Sequence, residues 1–318
     1  MNTADFARPT SRRRSPPRAR RFRFALEGFL LRTLVGVCQR IPPRAHGLTA
    51  RLATAMAACL PIRRRRILHE NLRQALGIQE AARLRRLSRQ VLQNTVQFGL
   101  ELARMARARP EEILQAVQCD PHDRHWLQQI RSERRGCLLV SAHIGNWEWL
   151  GAWYSLTYGD LGVVAKPMHN PRSERLIRRI RQRFGIRRFS TRDRLPRALM
   201  EHLRAGGIAA ILPDQDARRQ GAFIPFFGRA ASTATGPAAL AIRLGVPMVP
   251  GFLLREAPAR FRLVLGHPMH PQPGADPRTE EIRLMREYHG QLENVIRRAP
   301  AQYFWWHRRW KTRPPRAG

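Results

Sequence analysis

The sequence predicts an α/β fold with a mainly parallel central sheet flanked by helices. Three observations carry this. From Gly136 onward, short apolar runs of strand length alternate with longer runs of helical length. Strand-then-helix alternation requires crossover connections, and those cover both faces of a parallel sheet. Several polar or Gly/Pro-rich segments follow the apolar runs, at the sheet edge where open α/β folds bind ligands. The expected strands are residues 137–141, 162–165, 208–212, 248–254 and 261–265. The expected helices are 147–156, 173–184, 195–204, 234–244 and 279–298.

The elements before this core read differently. Residues 1–21 are mainly Arg, Pro and Ser and predict a disordered basic tail. In 22–38, Phe24, Leu26, Phe29, Leu30, Leu31, Leu34, Val35 and Val37 are apolar among many Arg. That run is too short and too interrupted for a span, and suits a helix lying in a membrane interface with Arg held by anionic headgroups. Residues 48–60 form a second, Ala-rich apolar segment ending at Pro61, so 22–62 read as membrane-associated helices. Packing against the body of the protein is the competing reading of both. Four Arg at 63–66 open the main domain, 63–318, as a solvated face. Helices are expected over 67–78 and 79–106; in the second, Leu84, Leu87, Val91, Val96, Leu100 and Leu102 keep helical spacing and predict a core stripe. Pro110 opens a connecting region to about 135, and the α/β core runs over 136–311.

Composition narrows the partners. The chain has 318 residues, 43% of them hydrophobic, and a formal charge of +35. Such a balance favours anionic partners: nucleic acid, a membrane surface, an acidic carrier protein or a phosphorylated substrate. Every basic residue except Lys166 and Lys311 is Arg, a compositional bias that discounts the charge as a sign of function. No nucleic-acid-binding motif appears, so no nucleic acid partner is expected. Cys38, Cys59, Cys119 and Cys137 form no C-x-x-C and read as reduced thiols without a zinc site. No small-residue cleavage site follows the first apolar run, so no cleaved signal peptide is expected.

The chemistry centres on His143 and Glu148. His143 follows an apolar strand; Gly145 and Asn146 make a turn; Glu148 lies in the first turn of the next helix with Asn146 as its N-cap. On one continuous helix, five residues turn a side chain by about 140° and the pair would point apart. Across a turn, Glu148 can fold back onto the imidazole, fix its tautomer and leave the other nitrogen as a base. A His closing a strand beside an unrelated surface Glu is the bland alternative. Lys166-Pro167 and Asn170-Pro171 follow the second strand; Arg192 precedes a helix; Asp214-Gln215-Asp216 follows the third strand. Two carboxylates with no His at ligand spacing make a weak metal site, so none is expected. Phe226-Phe227-Gly228 reads as core, and 231–236, with Thr233, as a helix N-terminus.

His143-x4-Glu148, Lys166-Pro167 with Asn170-Pro171, Asp214-Gln215-Asp216, Phe226-Phe227-Gly228 with Thr233, Val246-Pro247 with Pro250, and Trp306-His307-Arg308-Arg309 stand in one order over 136–311. Together they resemble the bacterial lipid A late acyltransferases (lauroyl and myristoyl transferases) of the lysophospholipid acyltransferase superfamily. The resemblance implies a monotopic or single-anchor enzyme of the inner membrane in lipopolysaccharide biosynthesis; the Arg-flanked helix 22–38 and the absent signal peptide place its expected site on the cytoplasmic face. It would move a fatty acyl chain from acyl carrier protein onto a hydroxyl of a lipid A precursor. His143 and Glu148 take the family's dyad. Lys166, Asn170, Arg192, Asp214, Gln215, Asp216, Gly228 and Thr233 fall among its substrate-binding segments. Many members have Arg at Lys166, and Lys lacks the bidentate fork. A carrier-protein thioester is the co-substrate; being already activated, it calls for no cofactor. The same chemistry on a lysophospholipid, glycerol phosphate or an amino-acid-derived lipid is the alternative.

Overall fold

The computed structural model describes residues 18–58, 64–134, 136–168, 170–190 and 197–315. Of the expected basic tail, 1–17 lie outside these residues, as does Arg192. Seven strands form the central sheet in the order β1-β9-β8-β2-β5-β3-β4. They are β1 (Val117–Gln118), β2 (Cys137–Val140), β3 (Leu161–Ala165), β4 (Arg187–Ser190), β5 (Ile208–Ile211), β8 (Met248–Ala257) and β9 (Arg260–Leu265). Among the described residues of this sheet only the β8–β9 hairpin is antiparallel; the other pairings are parallel. β2, flanked by β8 and β5, is buried along its whole length, which is why Cys137-Leu138-Leu139-Val140 reads as an unbroken apolar run.

Helices cover both faces. α7 (Trp147–Tyr158), α8 (Pro171–Arg183), α9 (Arg197–Arg204), α10 (Gly236–Leu244) and α11 (Pro277–Arg298) follow the strands and were expected from the pattern. α5 (Pro110–Gln115) and α6 (Pro121–Ser132) were not; they occupy the region read as a connection. Two short edge strands, β1 and β4, were also missed. β4 opens on Arg187-Arg188, and charge on an edge strand guards its unpaired backbone while hiding it from apolar periodicity. The segment around Phe226-Phe227-Gly228 is a second, two-stranded sheet of β6 (Ala222–Phe226) and β7 (Arg229–Thr233). Phe227 (φ 49) and Gly228 (φ 70) turn it with positive φ at both positions, the geometry that matches strand twist. A Phe in the first of those positions gives no turn signal; of 231–236, expected as a helix N-terminus, 231–233 belong to β7, while Thr235 and Gly236 do begin α10.

Ahead of α5, the described residues form four helices: α1 (Arg18–Cys38), α2 (Pro43–Ala58), α3 (Arg65–Leu76) and α4 (Ala81–Met105). Leu84, Leu87, Val91 and Leu100 of α4 are buried, as their spacing predicts. No described helix is long and apolar enough to cross a membrane.

One polar network ties α4 to the core. Glu101, 1% exposed, receives Arg255 through Nε (2.5 Å) and Nη2 (2.6 Å), and the Asn146 amide at 2.8 Å. Asn146 accepts from the Trp149 N–H and so caps α7, as the sequence predicts. Glu101→Ala leaves a buried guanidinium without its anion, so it should cost about 3–5 kcal/mol of stability, read as a lower thermal midpoint. An unchanged midpoint would mean the network contributes little.

Candidate active site

Parallel register builds the site. Val140 at the end of β2 lies opposite Ile211 at the end of β5. Three residues beyond each, His143 and Asp214 leave adjacent strands at the same edge. His143 Nδ1 donates to Asp214 Oδ1 at 2.8 Å, and the His143 backbone N–H donates to Oδ2 at 3.0 Å. One carboxylate thus holds both the ring and the backbone of His143. Nε2 of the imidazole is left facing the cavities, with the Gln215 amide nitrogen 3.5 Å away.

The turn after His143 is clamped from behind. Gly145 has φ 57, and a Cβ there would sit 1.9 Å from the Leu253 carbonyl oxygen, so only glycine fits. Its N–H donates to Gln302, Asn146 N–H donates to Leu253, and Phe304 N–H donates to the His143 carbonyl. Trp147 stacks on Phe98 (4.1 Å) and presents itself to the imidazole at 4.9 Å and 66°.

Glu148 does not orient His143, contrary to the folding-back expected from the sequence. Its carboxylate is taken by Arg181 near the end of α8, through Nε (2.9 Å) and Nη2 (2.6 Å). A bidentate guanidinium satisfies a carboxylate better than one imidazole N–H does. Glu148 reaches His143 only through its field. Burial pulls the imidazole pKa down, but the Asp214 charge and hydrogen bond, with the Glu148 charge behind them, outweigh it and the net shift is upward. Burial works to raise the Asp214 pKa; the charge and hydrogen bonds of His143, with Arg309, hold it below the usual carboxylate range.

The other expected site residues divide. Lys166 and Gln215 line the cavities beside His143. Asp214, expected to bind substrate, is buried beneath His143 instead. Asp216 has Oδ2 bound by the Thr312 hydroxyl (2.9 Å), while Oδ1 is buried without a partner. Asn170 caps α8, accepting from Arg172 N–H and donating to Glu27, so its polar atoms serve the fold. Gly228 is at a hairpin tip, and neither it nor Thr233 lines a cavity that reaches His143. Thr233 belongs to a buried cluster: Arg309 donates to its hydroxyl (2.7 Å) and to the Ser232 carbonyl (2.6 Å). His289 donates from Nδ1 to Pro225, and burial with the nearby Arg309 pushes its pKa down to about 3.

Two cavities meet at His143. The first, about 360 Å³, descends between the sheet and α7 past Ser141, Leu139 and Ala210. The second, about 290 Å³, is an apolar groove between α4 and the C-terminal segment, walled by Val91, Phe98, Trp147 and Phe304. A wider basin of about 980 Å³ adjoins them through Gln215 and carries Lys166, Arg218, Arg219, Arg308 and Lys311. Among the described residues none of these five cations is in an ion pair, and no cluster of His, Cys, Asp and Glu could hold a metal. Arg181 and the partnership of Asp214 with His143 went unread in the sequence, since both depend on which elements are neighbours.

The two anions favour the imidazolium, so removing either must lower the His143 pKa. An NMR titration should place wild-type His143 above ordinary imidazole, Asp214→Asn well below wild type, and Glu148→Gln between them. A larger fall in Glu148→Gln than in Asp214→Asn would contradict the assignment.

Comparison with known proteins agrees with the motifs. The family model described as bacterial lipid A biosynthesis acyltransferase matches residues 19–312. The chain is 29% identical to the lipid A biosynthesis lauroyltransferase of Escherichia coli over 192 residues, 59% of this chain and 60% of that protein. It is 29% identical to the palmitoleoyltransferase of the same organism over 197 residues, with the same shares covered. A phosphatidylinositol mannoside acyltransferase of Mycolicibacterium smegmatis is 31% identical over 139 residues, 42% of this chain and 45% of that protein. The match thus spans about three fifths of the Escherichia coli relatives. With the family model covering nearly the whole chain, the protein belongs to the bacterial lipid A biosynthesis acyltransferase family.

Proposed function

We propose that the protein transfers a fatty acyl group from an acyl carrier protein thioester to a hydroxyl of a glycolipid, a lipid A precursor. The observation that carries this is His143 Nε2, not used by the Asp214 hydrogen bond, at the junction of an apolar groove and a cavity lined by both apolar and charged side chains. Such a base takes the proton of the acceptor hydroxyl as its oxygen attacks the thioester carbonyl. The tetrahedral intermediate expels the carrier thiolate, and the imidazolium returns the proton to that sulfur. Asp214 keeps the reactive tautomer and stabilises the imidazolium. Glu148, fixed by Arg181, adds a second negative field without touching the ring.

The basin of unpaired cations supports an anionic acceptor. Phosphate on a glycolipid would sit among Lys166, Arg218, Arg219, Arg308 and Lys311 beside the base. The acidic carrier protein would be attracted by the same field.

The N-terminal helices support a membrane-surface location on the cytoplasmic face of the inner membrane. Among the described residues, six of the eight exposed large apolar side chains lie on α1 and α2: Phe29, Leu34, Val37, Leu48, Leu52 and Met56. Leu48, Leu52 and Met56 repeat every four residues and form one stripe. These helices would lie in the interface, not across it.

Transfer with purified protein, acyl carrier protein thioester and a phosphorylated glycolipid acceptor tests the reading. His143→Ala should abolish turnover; Asp214→Asn should lower kcat by about 10²–10⁴ with the fold intact. Turnover surviving His143→Ala would overturn the base assignment. Arg308→Ala should raise KM for the acceptor more than for the thioester; a rise for the thioester alone would place the carrier protein there. Co-sedimentation with anionic phospholipid vesicles should fall in Leu48→Glu/Leu52→Glu. Equal recovery with the vesicles would refute the interfacial role of α2.

A further inference from the structure

The cavity between the sheet and α7 contains a glycine that packing does not require. Gly151 sits in the middle of α7, where glycine weakens a helix relative to alanine. Buried glycines usually answer to close contact. At Gly162 a Cβ would lie 2.3 Å from the Phe189 ring; at Gly136, 2.1 Å from the Leu203 carbonyl oxygen. At Gly151 it would meet Ile186 Cδ1 at 3.5 Å and Leu161 Cδ2 at 3.6 Å, ordinary van der Waals contact. An alanine fits. What the absent methyl leaves is space, and Gly151 lines the cavity that begins at His143.

We infer that Gly151 and Ile186 set the length of the acyl chain this protein accepts. The inference rests on the acyl-transfer reading above. Strand register gives the cavity its shape. Leu139, Ala210 and Val163 stand at one level of β2, β5 and β3, all lining it. Ile186, 5% exposed, lines the inner end, and Leu161, fully buried, packs beside Gly151 there. From His143 to Leu139 is four residues, at most about 13 Å at about 3.3 Å per strand residue. A zigzag of bonds about 1.5 Å long advances about 1.3 Å per carbon, so roughly ten carbons reach from the carbonyl to the level of Leu139, above the Ile186 floor.

Ile186 is also a partition. It lines a second cavity of about 500 Å³ opening between α8 and β4, with Arg178, Gln182 and Arg187. Arg181 borders both spaces, with its charge matched by Glu148. Shortening Ile186 joins the two spaces; adding a methyl at Gly151 shortens the first. The two changes pull in opposite directions on one quantity.

The test uses the full chain and a homologous series of saturated acyl carrier protein thioesters with one acceptor. Gly151→Ala should cut kcat/KM for the longest chain the wild type accepts by about tenfold or more, the discrimination one methylene commands in an apolar pocket. It should leave the shortest chains within about twofold and melt no lower than wild type. Ile186→Ala should raise kcat/KM for chains longer than the wild-type optimum by about tenfold. A chain-length profile unchanged in Gly151→Ala, with the wild type active, would overturn the inference whether or not Ile186→Ala folds. So would a profile that instead follows Phe98→Ala, which would put the chain in the α4 groove. A wild-type chain that transfers from no thioester would overturn the acyl-transfer reading itself.

Discussion

The hydrogen bond between His143 and Asp214 is the constraint on which the rest of the site depends. It exists because β2 and β5 run parallel, side by side and in register, so that residues three past each end emerge together. An antiparallel pair would send those residues to opposite edges. The Asp214 carboxylate is 3% exposed and is held there by the imidazole and the His143 N–H. Burying an anion without such partners would cost several kcal/mol. The surroundings are built to match: Tyr288 donates to the Ser141 carbonyl just before His143, and Tyr303 Oη approaches the Asp214 carbonyl at 3.5 Å.

Two further buried ion pairs act on the helix that follows. Glu148 and Arg181 join α7 to α8 across the cavity wall, and Glu101 with Arg255 fixes the cap of α7. Both place the first turn of α7, which carries Trp147 against the imidazole. Buried pairs of this kind add little net stability against apolar replacements, but breaking one strands a charge. Their contribution is position: the imidazole is held from below by Asp214, from the side by Trp147 and from behind by the Gln302–Phe304 segment.

Periodicity made the sheet legible. Five of its seven strands and all five helices that follow β2 stand where apolar runs put them. The edge strands escaped because β4 opens on Arg187-Arg188 and the two residues of β1 are too few to show a period. The place of His143 after a strand was legible from the apolar run before it. Its partner was not, because Asp214 lies 71 residues away. The sequence shows that each closely follows an expected strand; it does not show that those strands are neighbours. Glu148, five residues away, was the nearer carboxylate, and Arg181 could not be weighed against it until α8 was placed beside α7. Asn170 and Thr233 misled for a related reason: helix caps and buried hydroxyl clusters look like ligand groups until their partners are known.

The tautomer of His143 tests this account most directly. The two ring nitrogens of a neutral imidazole differ in ¹⁵N chemical shift according to which carries the proton. Above its pKa, wild-type His143 should carry the proton on Nδ1 and leave Nε2 bare. That preference should survive Glu148→Gln and collapse in Asp214→Asn. A proton on Nε2 in the wild type, or a tautomer that follows Glu148 and ignores Asp214, would contradict it.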